Sequence, residues 1–300
     1  MTACSVWAGQ RERDSVRPLA VVRIDGADVT YVRAGRGEPL VLLHGAWSDS
    51  RDWDPQIPSL ARDFDVLAWD APGCGGSSDP PAGADLGYYA DALAGLLTAL
   101  GTGPAHVCGL SFGGGLALEL YARHPGLVRS LILVSAYAGW AGSLPPEEVE
   151  ARRSRVLAEA ARPPQDWADA YLPGFFARPV PPATLALARA ALLDTRPSGL
   201  VPMVGAFAAA DLRPVLPTIA VPTLVVHADA DVRAPRAVAD ALHAGIPGAE
   251  LAVLAGVGHM CNLEAPEAFD ALVTRFLTHP GAPPGAHLGA PPGAAKLEGP

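Results

Sequence analysis

The pentapeptide Gly109-Leu110-Ser111-Phe112-Gly113 constrains this chain more than any other segment. It closes the apolar run Ala105–Leu110 and leads into a Gly-rich stretch that reads as a helix over Leu116–Arg123. A serine between two glycines at such a junction fits G-x-S-x-G, a sharp strand-to-helix turn. The chain must reverse within a few residues, which strains the Ser backbone, and side chains two residues to either side would crowd the turn. The result is a hydroxyl projecting above a sheet, beside a helix N-terminus that favours developing negative charge. A chance cluster in a chain with 32 glycines is the competing reading. The strand before and the helix after argue against it.

A serine hydroxyl is a weak nucleophile unless a base takes its proton and an acid orients that base. His259, in Gly256-Val257-Gly258-His259-Met260, follows the last apolar run and is the candidate base. The other histidines fit worse. His44 precedes a loop glycine, His106 lies within a strand, His124 ends a helix and His243 sits on a surface-like helix. His279 and His287 lie at or beyond the last helix. His227, at the end of a strand, is the serious rival. The acid should follow an intermediate strand, and Thr223–His227 runs into Ala228-Asp229-Ala230-Asp231. Asp231 is favoured because it lies deeper in the loop, while Asp229 can cap the turn. The chain order is then Ser111, Asp231, His259. Oxyanion donors are expected from the backbone N–H of Phe112 and from the loop His44-Gly45-Ala46-Trp47, with Ala46 first and Trp47 second. The turn Asp70–Ser77 reads as structural.

Short apolar runs alternate with helical patterns along the chain. Leu19–Ile24 and Val29–Arg33 flank Asp25-Gly26, a hairpin signal. Leu40–Leu43, Asp65–Trp69, Ala105–Leu110, Val128–Ser135, Thr223–His227 and Leu251–Leu254 follow. Trp53, Ile57 and Leu60 recur at helical spacing, and Leu86–Leu100 marks an amphipathic helix. Strands apolar throughout, alternating with helices, predict an α/β fold with a mostly parallel sheet covered on both faces. Residues 140–210 break the alternation with short helices separated by Pro pairs. This is a helical insertion expected over the strand ends, where open α/β sheets place ligands. Residues 1–18 read as a flexible arm. Residues 280–300, with GAPPGA at 281–286 and again at 289–294, read as a disordered Pro/Gly/Ala-rich tail.

Composition narrows the partners. The net charge of −9 and the absence of a basic run make nucleic acid an unfavourable partner. No apolar stretch reaches the length of a transmembrane helix. The polar N-terminus, with Arg11, Arg13 and Arg17, lacks the apolar core of a signal peptide, so the expected location is the cytoplasm. Cys4, Cys74, Cys108 and Cys261 form no C-x-x-C pair and are expected as free thiols. Cys261 reads as a small buried hydrophobe.

Together these residues resemble the α/β-hydrolase superfamily over about 19–278. The resemblance is carried by His44-Gly45, Asp70-x-Pro72-Gly73-x-Gly75-x-Ser77, the turn at Ser111, Asp231 and Gly258-His259. It implies an eight-stranded, mostly parallel sheet with helices on both faces and a helical cap, here residues 140–210. Pro197–Asp231 is similar to enol-lactonases of the 3-oxoadipate type, through Asp211-Leu212-Arg213 and Pro222–Val225, a pattern shared with esterases and cofactor-free haloperoxidases. Ala228 departs from the Gly usual before the acid. Dehalogenases and epoxide hydrolases of this superfamily attack with Asp, whereas this turn carries Ser111. The function implied is a serine hydrolase that cleaves a small or medium ester or lactone, with no metal or organic cofactor. The same residues would serve C–C bond hydrolysis of a diketone, thioester hydrolysis or perhydrolysis, and a non-catalytic ligand-binding homologue is the remaining alternative. Trp47, Trp140, Phe175, Phe176, Met203, Phe207 and Met260 are candidates to line a pocket for an apolar acyl or ring portion, and Trp167 and Tyr171 add to the aromatic content of the cap.

Overall fold

A computed structural model describes residues 19–278. The arm expected over 1–18 and the tail expected over 280–300 lie outside the described residues. Eight strands form one sheet: β1 (Ala20–Ile24), β2 (Ala27–Gly35), β3 (Glu38–Leu43), β4 (Phe64–Trp69), β5 (Ala105–Leu110), β6 (Val128–Val134), β7 (Thr223–Ala228) and β8 (Glu250–Leu254). Their order is β1-β2-β4-β3-β5-β6-β7-β8. β1 pairs β2 and β2 pairs β4 in antiparallel fashion, and every other pairing is parallel. The hairpin turns at Asp25-Gly26, both with positive φ. The central strands are apolar because both faces are covered. Leu40, Val41, Leu42 and Leu43 are fully buried, and each such side chain contributes about 1.5–3 kcal/mol relative to exposure.

The helices among the described residues are α1 (Ile57–Leu60), α2 (Leu86–Ala99), α3 (Phe112–Arg123), α4 (Pro146–Ala160), α5 (Ala168–Tyr171), α6 (Pro182–Leu193), α7 (Pro197–Ala209), α8 (Arg236–Gly245), α9 (Cys261–Glu264) and α10 (Pro266–Thr278). Asp85 caps α2 by accepting from the Tyr88 N–H at 2.9 Å. The Trp53–Leu60 periodicity is not one helix. A 3-10 turn over Ser50–Trp53 and the four-residue α1 lie either side of Pro55, which interrupts a continuous helix. Helix α3 begins at Phe112 rather than Leu116, so Gly113, Gly114 and Gly115 lie inside it despite their poor helix propensity. None of these helices is long and apolar enough to cross a membrane.

Between β6 and β7 the chain leaves the sheet and forms α4 to α7. Backbone bonds tie the two ends of this excursion together: the Trp140 N–H donates to Phe207 O at 3.0 Å and the Leu212 N–H to Ala138 O at 2.9 Å. Phe207 wedges between Phe112, Tyr137 and Trp140, with ring centroids 5.4, 6.1 and 5.8 Å away. The start of α7 touches the loop after β4. There Arg196 donates to Gly75 O and Ser77 O and pairs with Asp79. A Cβ on Gly199 would stand 2.0 Å from Gly73 O. Gly199→Ala is therefore expected to lower stability by about 1–3 kcal/mol through backbone overpacking. Chemical denaturation checks this, and a variant as stable as its parent would contradict the contact.

Candidate active site

Ser111 sits between β5 and α3 with φ 54° and ψ −109°, a region that costs an L-residue about 1–3 kcal/mol. Close packing enforces it. A Cβ on Gly109 would lie 2.1 Å from Gly113 O, and one on Gly113 would lie 2.3 Å from Leu43 O. Only glycine fits at either position, so the two backbones approach until Ser111 has no relaxed conformation left. The Ser111 N–H donates to Val134 O at 2.8 Å, which ties the turn to the neighbouring strand. Phe112 is the first residue of α3, so its N–H has no partner one turn earlier in the helix.

The loops after β7 and β8 meet because those strands pair in parallel. His259 Nδ1 lies 2.8 Å from Asp231 Oδ2. Asp231 Oδ1 accepts from the Arg233 and Ala234 N–H groups at 2.7 and 3.0 Å. Burial alone would raise the Asp231 pKa, but the charge and hydrogen bond of His259 and the two amides outweigh it and hold the carboxyl below its ordinary value. A carboxylate at Nδ1 fixes the proton there and leaves the Nε2 lone pair free to accept. Asp229 instead accepts from the Gly256 N–H at 2.6 Å, joining the two loops. His227 is buried in β7, and burial lowers its pKa.

The loop after β3 is fixed by His44. Its Nε2 accepts from the Ala71 N–H at 3.0 Å. The ring proton is therefore on Nδ1, which donates to Gly45 O at 2.7 Å. In a trans peptide the carbonyl and the following N–H point in opposite directions. With Gly45 O turned to the His44 ring, the Ala46 N–H faces away from it. Trp47 follows with φ 63°. The Gly45 N–H reaches Asp52 Oδ2 at 3.4 Å, and Ser48 Oγ donates to the other oxygen. Asp52 is wholly buried, and that burial pushes its carboxyl up to about 7.

Ser111, His259 and Ala46 line one cavity of about 400 Å³ including its mouth. Among the pocket candidates, Trp47, Phe175 and Met260 line it too, together with Asp52 and Arg233. The other four stand elsewhere. Met203 faces a neighbouring cleft beside Cys74 and Leu200, and Trp140 faces an outer groove with Arg152. Phe207 is packed in the wedge already described, and Phe176 lies edge-on to Phe175 at 6.5 Å. Apolar patterning marks residues that leave water and does not separate packing from lining.

Arg233, Asp52 and Glu264 were not singled out by the sequence reading. The Arg233 guanidinium lies over the rings of Trp47, Tyr171 and Phe175 at 5.4, 5.1 and 5.1 Å, and burial lowers its pKa. Glu264 accepts from the N–H groups of Ala177, Arg178 and Gly258, so one buried carboxylate joins the excursion to the His259 loop. Cys74, Cys108 and Cys261 are free thiols, and burial pushes Cys261 up to about 12, away from thiolate chemistry. Among the described residues, no three His, Cys, Asp or Glu side chains group as a metal site.

A profile described as the alpha/beta hydrolase family matches residues 40–272. The RutD protein of Azorhizobium caulinodans, named for carbamate hydrolysis, is 30% identical over 257 residues, covering 83% of this chain and 95% of that protein. The enol-lactonase from Burkholderia xenovorans LB400 superposes with a TM-score of 0.78 at 30% identity, covering 86% of this chain and all of that one (100%). An esterase from Thermogutta terrifontis superposes with a TM-score of 0.80 at 26% identity, covering 88% and 99%.

Asp52 gives a pH test of the loop. Folding raises this carboxyl from its ordinary 3.8 to about 7. The folded state therefore holds the extra proton between those values, and stability falls as pH rises through them. Asp52→Asn removes this contribution, so the loss of Tm between pH 5 and pH 8 should be smaller than in the parent. Asp270, pushed up to about 6, acts with the same sign and is present in both proteins. An unchanged slope would contradict the buried, proton-holding Asp52.

Proposed function

The chain belongs to the alpha/beta hydrolase family, and from that premise we propose that it cleaves carboxylic esters or lactones with Ser111 as nucleophile, His259 as base and Asp231 as the acid that orients it. The observation that carries this reading is the 2.8 Å contact of His259 with Asp231, with His259 and the strained Ser111 lining one cavity. The likeness to an enol-lactonase and an esterase supports the ester or lactone bond over the other acyl and C–C chemistries open to the same residues.

His259 Nε2 takes the Ser111 proton as Oγ attacks the carbonyl carbon. The carbonyl oxygen becomes an oxyanion and accepts from the Phe112 and Ala46 N–H groups. One such donor is worth about 10²–10³ in rate. As the tetrahedral carbon collapses, the ester C–O bond breaks and His259 protonates the departing alkoxide. Water, deprotonated by His259, then attacks the acyl-enzyme, and the proton returns to Ser111 as the acid leaves. Asp231 stays ionised and stabilises the imidazolium formed in each half-reaction.

A fluorophosphonate should add once, at Ser111, and Ser111→Ala should abolish the adduct. On 4-nitrophenyl acetate, Ser111→Ala is expected to lower kcat by about 10⁴–10⁶ and Asp231→Asn by about 10⁴. Asp229→Asn should stay far closer to the parent. A Ser111→Ala enzyme with half the parent rate, or an Asp229 variant as impaired as the Asp231 one, would overturn the assignment.

A further inference from the structure

We propose that Arg233 is a carboxylate-binding subsite, so that the substrate carries a free carboxylate a few bonds from its scissile carbonyl. This rests on the hydrolase reading above and narrows its substrate class.

Three observations converge on Arg233. It lines the same small cavity as Ser111 and His259, so a group held by its guanidinium lies close to the reacting bond. It is partly exposed and stacks on Trp47, Tyr171 and Phe175, where it also borders the outer groove of Arg152 and Glu148. Stacking on aromatic faces stabilises the cation and leaves its in-plane N–H donors open to an external acceptor. Finally, among the described residues no carboxylate lies within ion-pair distance of it, and the acids around it are committed. Asp231 serves His259 and two backbone amides. Glu148 pairs with Arg152 at 2.6 Å, and Glu159 accepts from Tyr171 Oη. Asp52 is held by Ser48 and Gly45, and burial raises its pKa.

The other shielded arginines differ. Arg51 pairs with Asp49 and Asp194, both at 2.8 Å, and Arg196 pairs with Asp79 at 2.9 Å. Among the described residues Arg233 has no such protein counterion, and a substrate carboxylate is the planar anion that a guanidinium fork accepts through two parallel bonds.

The position is also preorganised. The Arg233 N–H is held by Asp231, and its carbonyl accepts from Tyr137 Oη and from Arg152 Nη2 at 3.1 Å. With the backbone pinned and the rings limiting rotamers, little side-chain entropy is lost when an anion binds. Beside Ser48 and Asp52, the lining near Ser111 includes the apolar Leu110, Phe175, Ala188 and Met260. That suits a short methylene spacer between the carboxylate and the scissile carbonyl. In a chain of net charge −9, such a local cation decides whether an anionic substrate is admitted at all.

Monomethyl glutarate and methyl pentanoate differ only in a terminal carboxylate against a methyl group, and their hydrolysis can be followed by pH-stat. The parent is expected to favour monomethyl glutarate at least tenfold in kcat/KM. Arg233→Gln should shrink that ratio at least tenfold, mainly through KM for the anionic ester, and Arg233→Lys should restore part of it. Circular dichroism establishes that the variants are folded. A parent ratio near one, or a ratio unchanged in Arg233→Gln, would overturn the subsite while leaving the hydrolase reading intact. If neither ester is cleaved, the hydrolase reading fails, and calorimetry with glutarate judges the subsite alone. Binding by the parent that Arg233→Gln loses supports it, and no binding by the parent overturns it.

Discussion

The close approach of two backbones at Gly109 and Gly113 governs the site. A Cβ at either would lie within 2.3 Å of a carbonyl oxygen, so β5 turns into α3 with no room for a relaxed Ser111. The strain of about 1–3 kcal/mol is borne by strands buried on both faces, whose apolar contacts exceed it many times over. The same packing sets Phe112 as the first residue of α3 and brings the end of β3 against the turn. The proposed nucleophile and oxyanion donors thus share one cause, the tight junction of β3, β5 and α3.

Around this centre, hydrogen bonds orient the surrounding loops. His44 lacks the position of a base, yet its two ring nitrogens fix the Gly45–Ala46 peptide from behind. Asp70 ties the loop after β4 to Ser50 and Thr30, which agrees with a structural role for the Asp70–Ser77 turn. Glu264 joins the helical excursion to the loop of His259. His44 acts on the peptide beside it but is held by the distant Ala71, and Asp70 and Glu264 reach residues far away in sequence; burial strengthens these bonds.

That separation explains what could be read from the sequence. The sheet was legible because its central strands are short apolar runs between turn signals, and Ser111 because its constraint is local. Asp231 and His259 were legible from their place after strands. Their meeting depends on the parallel pairing of β7 and β8, which the alternation of strands and helices foretells. Arg233 was not legible. A lone arginine on a loop reads as solvated, and the rings that enclose it come from the loop after β3 and from the helical excursion. Asp52 looks like a turn residue until burial is known. Met203, Trp140, Phe176 and Phe207 were read as pocket candidates on hydrophobicity alone, and the structure gives them other clefts or packing roles. The late start expected for α3 has a similar origin: propensity disfavours Gly113–Gly115, and tertiary packing overrides it.

The most direct test of the central claim is a crystal structure of the protein inactivated by a phosphonate ester. The account predicts phosphorus bonded to Ser111 Oγ, with the phosphoryl oxygen about 2.7–3.1 Å from the backbone nitrogens of Phe112 and Ala46 and His259 Nε2 turned toward the adduct. An adduct on another residue, or a phosphoryl oxygen turned to solvent with both amides unengaged, would contradict it.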